Sequence, residues 1–317
     1  MRSSPSVAIL AVLTVVVAAC TGTGGSPSAS TAAVPSAAPS TAASDGPSLA
    51  PSPAEDACSK DALAVVTPGT LTLGTDNPAY PPYMLPNDDG HETAPWELGD
   101  PTNGTGFESS IGYAIAKELG FAPTEVTWVV VPFANAFAPG VKNFDIDLNQ
   151  VSYKPERTET ADLSDGYYFG NQSLVVLKTS PLAKAKTIAE LKDGTYGAQV
   201  GTTSYDAIGA VIAPTTEPRV YDTNDAAIQA LSPGQIDGVV VDLPTADYIT
   251  NVQVDDSVIV GQFEGGKPEY FAAVLTKDSP LTDCVNNAIS NLAEAGTLDA
   301  LASQWLPFQD TVPVIQP

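Results

Sequence analysis

The chain has 317 residues, with 13 basic and 37 acidic side chains and a formal charge of −24. No cluster of Lys or Arg interrupts that acidity, which argues against a nucleic-acid partner, because neutralising phosphates takes several basic residues together. The single histidine, His91, lies in a polar stretch and reads as a solvated loop residue, no Cys/His cluster has metal-ligand spacing and no Gly-rich phosphate loop is present. Neither a metal nor another cofactor is expected.

At the amino terminus Met1 and Arg2 precede an apolar run from 7 to 19. The run is shorter than the ~20 residues of a membrane span and suits the core of a signal peptide over 1–19. Cys20 follows the small residues Ala18 and Ala19, which resembles the lipobox of bacterial lipoproteins, where the thiol is acylated and becomes the mature terminus. The alternative is an ordinary signal peptide followed by an incidental Cys. Residues 20–57 are Ser, Thr, Ala, Pro and Gly with almost no charge before Glu55, a composition with too little apolar surface to offset its ordering entropy. They are expected to form a disordered tether whose coil ends lie about 35 Å apart. Together, anchor and tether would hold a folded domain at the outer face of the cytoplasmic membrane.

Cys58 and Cys284 remain, an even number in an exported chain, and are expected to pair; two buried free thiols are the alternative. In chain order, "TLTLGTD" (70–76) reads as a strand and "IGYAIAKELG" (111–120) as a helix with Ile111, Ile115 and Leu119 on one face and Gly120 as its stop. Glu108, just ahead of it, suits a helix-capping or macrodipole role. "EVTWVVVPF" and "FDIDLNQVS" are further strands. "SLVVLK", "YGAQV", "RVYD" and "IDGVVVD" continue them, with helices at "TSYDAIGAVI" and "NDAAIQAL". Strands alternating with helices predict an α/β fold with mainly parallel sheets. In such sheets ligands sit beyond the carboxyl ends of the strands. Asp76, the 149–152 segment, the 201–204 segment and Asp242 all stand at such ends.

Arg157, one of three arginines in the chain, follows "SYKPE" and calls for an anion, either a small ligand or an internal carboxylate. Alone it reads as a structural ion-pair residue, Asp76 and Asp242 as strand-end or capping residues, and Tyr80 and Phe133 as core aromatics. Their setting changes that reading. "LTLGTDNPAYPPY", "GTGFESSIGYAIAKELGF", "FDIDLNQVSYKPERTETADLSDGYY", "YGAQVGTTSYD", "QIDGVVVDLPTADYI" and "LAEAGTLDALASQWL" follow one another in an order that resembles the extracellular solute-binding proteins of polar amino acid ABC transporters, bacterial family 3.

The resemblance implies a two-lobed periplasmic-binding-protein-like fold of type II, with lobes joined by two crossover strands near 167–171 and 267–271 and a ligand cleft between them. The first lobe would take 58–171, the second 172–268, and 269–317 would return to the first lobe and end in a tail. It implies that Arg157 pairs with a ligand α-carboxylate, as a planar bidentate fork suits, with Ser152 assisting. The backbone at Gln150 would meet the α-ammonium and Asp242 would take its charge. Thr202 and Thr203 would form the second-lobe clamp, Tyr80 and Phe133 would sandwich the ligand side chain, and Asp76 would read it.

Three departures bear on the ligand: Asn149 and Gln150 where the family has small residues, Ser110 where it has a second carboxylate, and an insertion over 87–106. Trp96 within the insertion would lid the pocket or cap a surface patch. Asp147, polar in an apolar strand, would face the cleft or pair with a neighbouring donor. The expected function is a monomeric, lipid-anchored receptor, not an enzyme, that passes a cationic or neutral-amide amino acid to an ABC permease. Alternatives are an exported dehydratase-like enzyme on this scaffold, or a sensing module for a partner receptor.

Overall fold

A computed structural model describes residues 57–91, 93–265 and 269–317. The expected signal peptide, Cys20 and all but the last residue of the tether lie outside them. Among the described residues the strands are β1 (Leu71–Thr75), β2 (Val126–Val130), β3 (Ile146–Asp147), β4 (Ala161–Phe169), β5 (Gln172–Leu177), β6 (Tyr196–Gln199), β7 (Arg219–Tyr221), β8 (Gly238–Asp242), β9 (Ser257–Phe263) and β10 (Tyr270–Thr276). They form two five-stranded sheets, β2-β1-β3-β10-β4 and β7-β6-β8-β5-β9, each the centre of one lobe.

Each sheet is mixed: four of its five strands run the same way and one is reversed, so its pairings divide evenly between parallel and antiparallel. In the first, β1 pairs in parallel with β2 and β3, while β10 runs antiparallel to both β3 and β4. In the second, β6 pairs in parallel with β7 and β8, while β5 runs antiparallel to β8 and β9. The reversed strand in each sheet is the one that arrives from the other lobe. It starts at the hinge and runs away from it, whereas the parallel strands end at the cleft.

Burial explains the elements. Leu71 and Leu73 of β1 are fully buried, and the helix Phe107–Glu118 lays Phe107, Ile111 and Ile115 against the first sheet. Gly112 makes that close approach possible, since a Cβ there would stand 2.9 Å from Leu73 and 3.0 Å from Trp128. In the second lobe Leu174, Tyr196 and Val240 fill one face of the sheet, and Val175, Val239 and Val241 fill the other. A strand buried on both faces reads as a continuous apolar run, as "GVVV" does. Cys58 and Cys284 form a disulfide, Cα to Cα 5.4 Å, joining the segment ahead of β1 to the helix Thr282–Glu294.

Trp96 neither lids the cleft nor caps the surface: it is buried in the first-lobe core with Tyr83, Met84 and Phe107. Its loop instead braces the turn after β1. Asn77 Nδ2 donates to Pro95 O at 2.9 Å, Glu97 N to Asn77 Oδ1 at 2.9 Å, and Ala79 N to Glu97 O at 3.0 Å. His91 is exposed. The carboxyl-terminal tail runs back over the second lobe. Gln262 N donates to Pro313 O, Ile315 N to Gln262 O, and Gln316 N to Lys186 O, while Ile315 is buried in the second-lobe core.

Candidate ligand-binding site

A cavity of about 370 Å³ opens between the lobes. Asp76, Tyr80, Phe133, Gln150, Ser152 and Arg157 border it from the first lobe, and Thr202, Thr203 and Asp242 from the second. The nine residues expected from the sequence thus surround one space, placed where parallel strands end, as the sheet rule requires.

Arg157 enters on a short 3-10 turn, Pro155–Glu159, and is buried. It donates to Ser152 O through Nη1 and to Gly201 O through Nη2 at 3.0 Å, so it ties both lobes. Its Cζ stands 4.4 Å from the Phe137 ring centroid and 5.5 Å from that of Phe133. Phe133 therefore supports the guanidinium as well as bordering the ligand space. Burial pulls Arg157 down to about 10, which leaves it cationic at neutral pH. No carboxylate oxygen lies within 4.0 Å of its nitrogens among the described residues.

Asp76 leaves β1 and accepts from Asn77 N at 2.8 Å and Phe133 N at 3.2 Å; burial nevertheless raises its pKa. Tyr80 donates its phenol proton to Asp225 Oδ2 at 2.5 Å across the cleft. Thr202 caps the helix that follows β6, accepting from Tyr205 N at 3.2 Å and donating to Gln199 O at 2.7 Å. Asp242, at the end of β8, accepts from Gln172 Nε2 at 2.9 Å. Burial first, and the nearby Glu269 carboxylate second, push Asp242 well above the usual carboxylate range.

Four residues escaped the sequence reading. Glu269 accepts from Ser152, Thr203 and Gln172; Gln172 bridges Glu269 and Asp242; Asp225 takes the Tyr80 proton. Glu269 falls inside the 267–271 segment assigned to the second crossover and Gln172 one residue beyond the first, so the crossover itself was the signal. Glu108, the fourth, is not a cap. It is fully buried, accepting from Gln150 N at 2.8 Å, from Gln150 Nε2 and from Tyr167 OH at 2.5 Å. Gln150 adopts a left-handed conformation, φ 49°, with its backbone N–H and its side-chain amide both bonded to Glu108. Burial raises Glu108 to about 7.

Asp147 neither borders the cleft nor pairs with a donor. It is fully buried beneath the first sheet's centre, and neither carboxyl oxygen has a hydrogen-bond partner among the described residues. Burial, first, and the nearby Glu108 and Asp76 carboxylates push its pKa well above the usual carboxylate range. Gly74 leaves room for it, since a Cβ there would stand 2.7 Å from Asp147 Oδ2.

Two lobes on crossover strands, with polar groups of both signs facing a shared cavity, define a hinged solute-binding protein. The comparisons agree. Residues 71–308 match the bacterial extracellular solute-binding proteins, family 3. Over 242 residues the chain is 28% identical to the L-cystine-binding protein TcyJ of Escherichia coli (strain K12), covering 75% of this chain and 82% of that protein. An ancestral arginine-binding protein bound to glutamine superposes with a TM-score of 0.60 at 27% identity, over 75% of this chain and 98% of that one. AncCDT-1, an ancestral amino acid-binding protein and precursor of cyclohexadienyl dehydratase, gives 0.57 at 28% identity, over 75% and 95%. The chain belongs to the bacterial extracellular solute-binding proteins, family 3.

Proposed function

We propose that the protein is an exported receptor, anchored by acylated Cys20, that binds a polar amino acid between its lobes and delivers it to an ABC permease. The observation that carries this reading is the opposition of Arg157 and Asp242 across one cavity, a cation and a potential anion placed for the two ends of a zwitterion. Neither lobe alone satisfies both ends, so binding favours closure. Relatives named for L-cystine binding, and a structure of an arginine-binding protein holding glutamine, support an α-amino acid of polar side chain. Asp76 and Asp225 at the far end favour a cationic or amide side chain over an acidic one.

A thermal-shift screen of the purified protein, stripped of ligand by unfolding and refolding, against the twenty amino acids and common amines tests it. Ligand at a hundred times its Kd adds about 2.7 kcal/mol. A carboxyl whose pKa burial raises, as at Asp242, also suits a general acid, and AncCDT-1 is a precursor of a dehydratase. That second reading requires a change of mass in the bound compound over time; release of unaltered ligand excludes it.

A further inference from the structure

Glu269 lies where the chain returns from the second lobe to the first, immediately ahead of β10. Its Oε1 accepts from Ser152 Oγ of the first lobe at 2.9 Å and from Thr203 Oγ1 of the second, and its Oε2 accepts from Gln172 Nε2 at 2.8 Å. Ser152 and Thr203 are hydroxyls that the receptor reading gives to the ligand carboxylate. A hydroxyl has one proton. While Glu269 holds both, an incoming carboxylate meets oxygen lone pairs instead of donors. Thr202 offers no substitute, because its proton goes to Gln199 O. Arg157 differs: its bonds run to backbone carbonyls, and among the described residues no carboxylate pairs with its charge.

We propose that Glu269 is an internal rival of the ligand carboxylate, taking the hydroxyl protons of Ser152 and Thr203 so that a bound carboxylate gains them only by turning Glu269 out. The proposal rests on the receptor reading for its ligand but not for its geometry. One oxygen of Glu269 joins hydroxyls of both lobes, so the side chain does within the protein what a ligand carboxylate does between them. It has somewhere to turn. A second cavity of about 680 Å³ lies behind the hinge, bordered by Glu269 itself with Gly170, Asn171 and Gln262. The rivalry also discriminates among ligands. A carboxylate-bearing amino acid must displace Glu269, whereas an amine without a carboxylate need not, and it gains a nearby negative charge.

Calorimetric titration of the wild type, Glu269→Ala and Glu269→Gln with L-arginine, L-glutamine and agmatine, with thermal melts in sodium acetate, tests this. The amino acid that binds the wild type should bind Glu269→Ala about tenfold more tightly and Glu269→Gln by a smaller gain, since an amide oxygen still accepts but carries no charge. Agmatine should gain nothing. Acetate should raise the melting temperature of Glu269→Ala and leave the wild type unmoved, because it refills the vacated anion position. Unchanged or weaker amino acid binding by both variants, without an acetate response, overturns the rivalry and makes Glu269 an ammonium acceptor or a structural residue. An acetate response confined to Glu269→Ala, with no amino acid bound by any of the proteins, upholds the rivalry and removes the receptor reading.

Discussion

Tyr80 of the first lobe and Asp225 of the second are joined by a 2.5 Å hydrogen bond across the cleft, which separation of the lobes would break. Tyr83 with Thr245 at 3.0 Å, and Lys154 with Asp206 at 2.5 Å, add to the same closure. Such bonds act on the population of the closed state, and through it on affinity. Tyr80→Phe keeps the ring, and its edge contact with Tyr248 at 6.1 Å, but removes the phenol proton. We expect affinity to fall by roughly tenfold, the scale of a hydrogen bond to a charged group. Calorimetry measures it; unchanged affinity would mean that the bond adds nothing to closure.

Arg157→Ala should abolish binding of α-amino acids while the fold persists. Arg157→Lys should recover little, because an ammonium cannot reproduce the planar fork stacked on Phe137 and Phe133. The reported quantities are Kd and the unliganded melting temperature. Full affinity in the lysine variant would show that charge alone suffices.

Acidity should stabilise this protein. Asp76, Asp147, Asp242 and Glu108 all have folded pKa values raised by burial above their unfolded ones. For each, the stabilisation is fully present below the unfolded value and is lost as pH rises through the folded one. For Glu108 the window runs from the unfolded value of 4.5 to about 7, worth roughly 3 kcal/mol. The high net negative charge acts in the same direction. Melting temperature should therefore rise from pH 8 to pH 5, and Glu108→Gln should flatten the rise.

Ligand binding should release protons. In the unliganded protein burial, with Glu269 adding to it, keeps Asp242 protonated above the ordinary carboxylate range. A ligand ammonium favours the ionised form and drives the proton off. Titrations at mildly acidic pH in buffers of different ionisation enthalpy should give different apparent heats; heats that do not depend on the buffer would contradict proton release.

Much of this architecture was legible in the sequence where one principle acted alone. "TLTLGTD" is a buried strand, and "NDAAIQAL" matches the helix Asn224–Leu231. β4 and β10 were not read from pattern. β4 alternates buried and exposed positions irregularly, and its register against β10 shifts twice. Arg157 and Asp242 stood out because charged residues at strand ends are conspicuous. Glu269 and Gln172 were hidden, since a hinge residue owes its place to two lobes meeting, which no local period records. Asp147 misled for a related reason: its burial without a partner is a property of the packed sheet around Gly74.

The tail offers a separate test. Ile315 is buried in the second-lobe core and lies against Gly261, where a Cβ would come within 2.6 Å of it. Ile315→Ala should cost about 2–4 kcal/mol. Chemical denaturation measures it, and a loss under 1 kcal/mol would mean that the tail contributes little to the lobe it covers.

The central claim is that one zwitterion spans Arg157 and Asp242. Its most direct test is a calorimetric titration of L-arginine and L-glutamine into the stripped wild type, Arg157→Ala and Asp242→Asn. The account predicts binding of at least one of the two amino acids by the wild type, at one site per chain, and loss of at least a hundredfold in each variant. Wild-type affinity retained in either variant would contradict it.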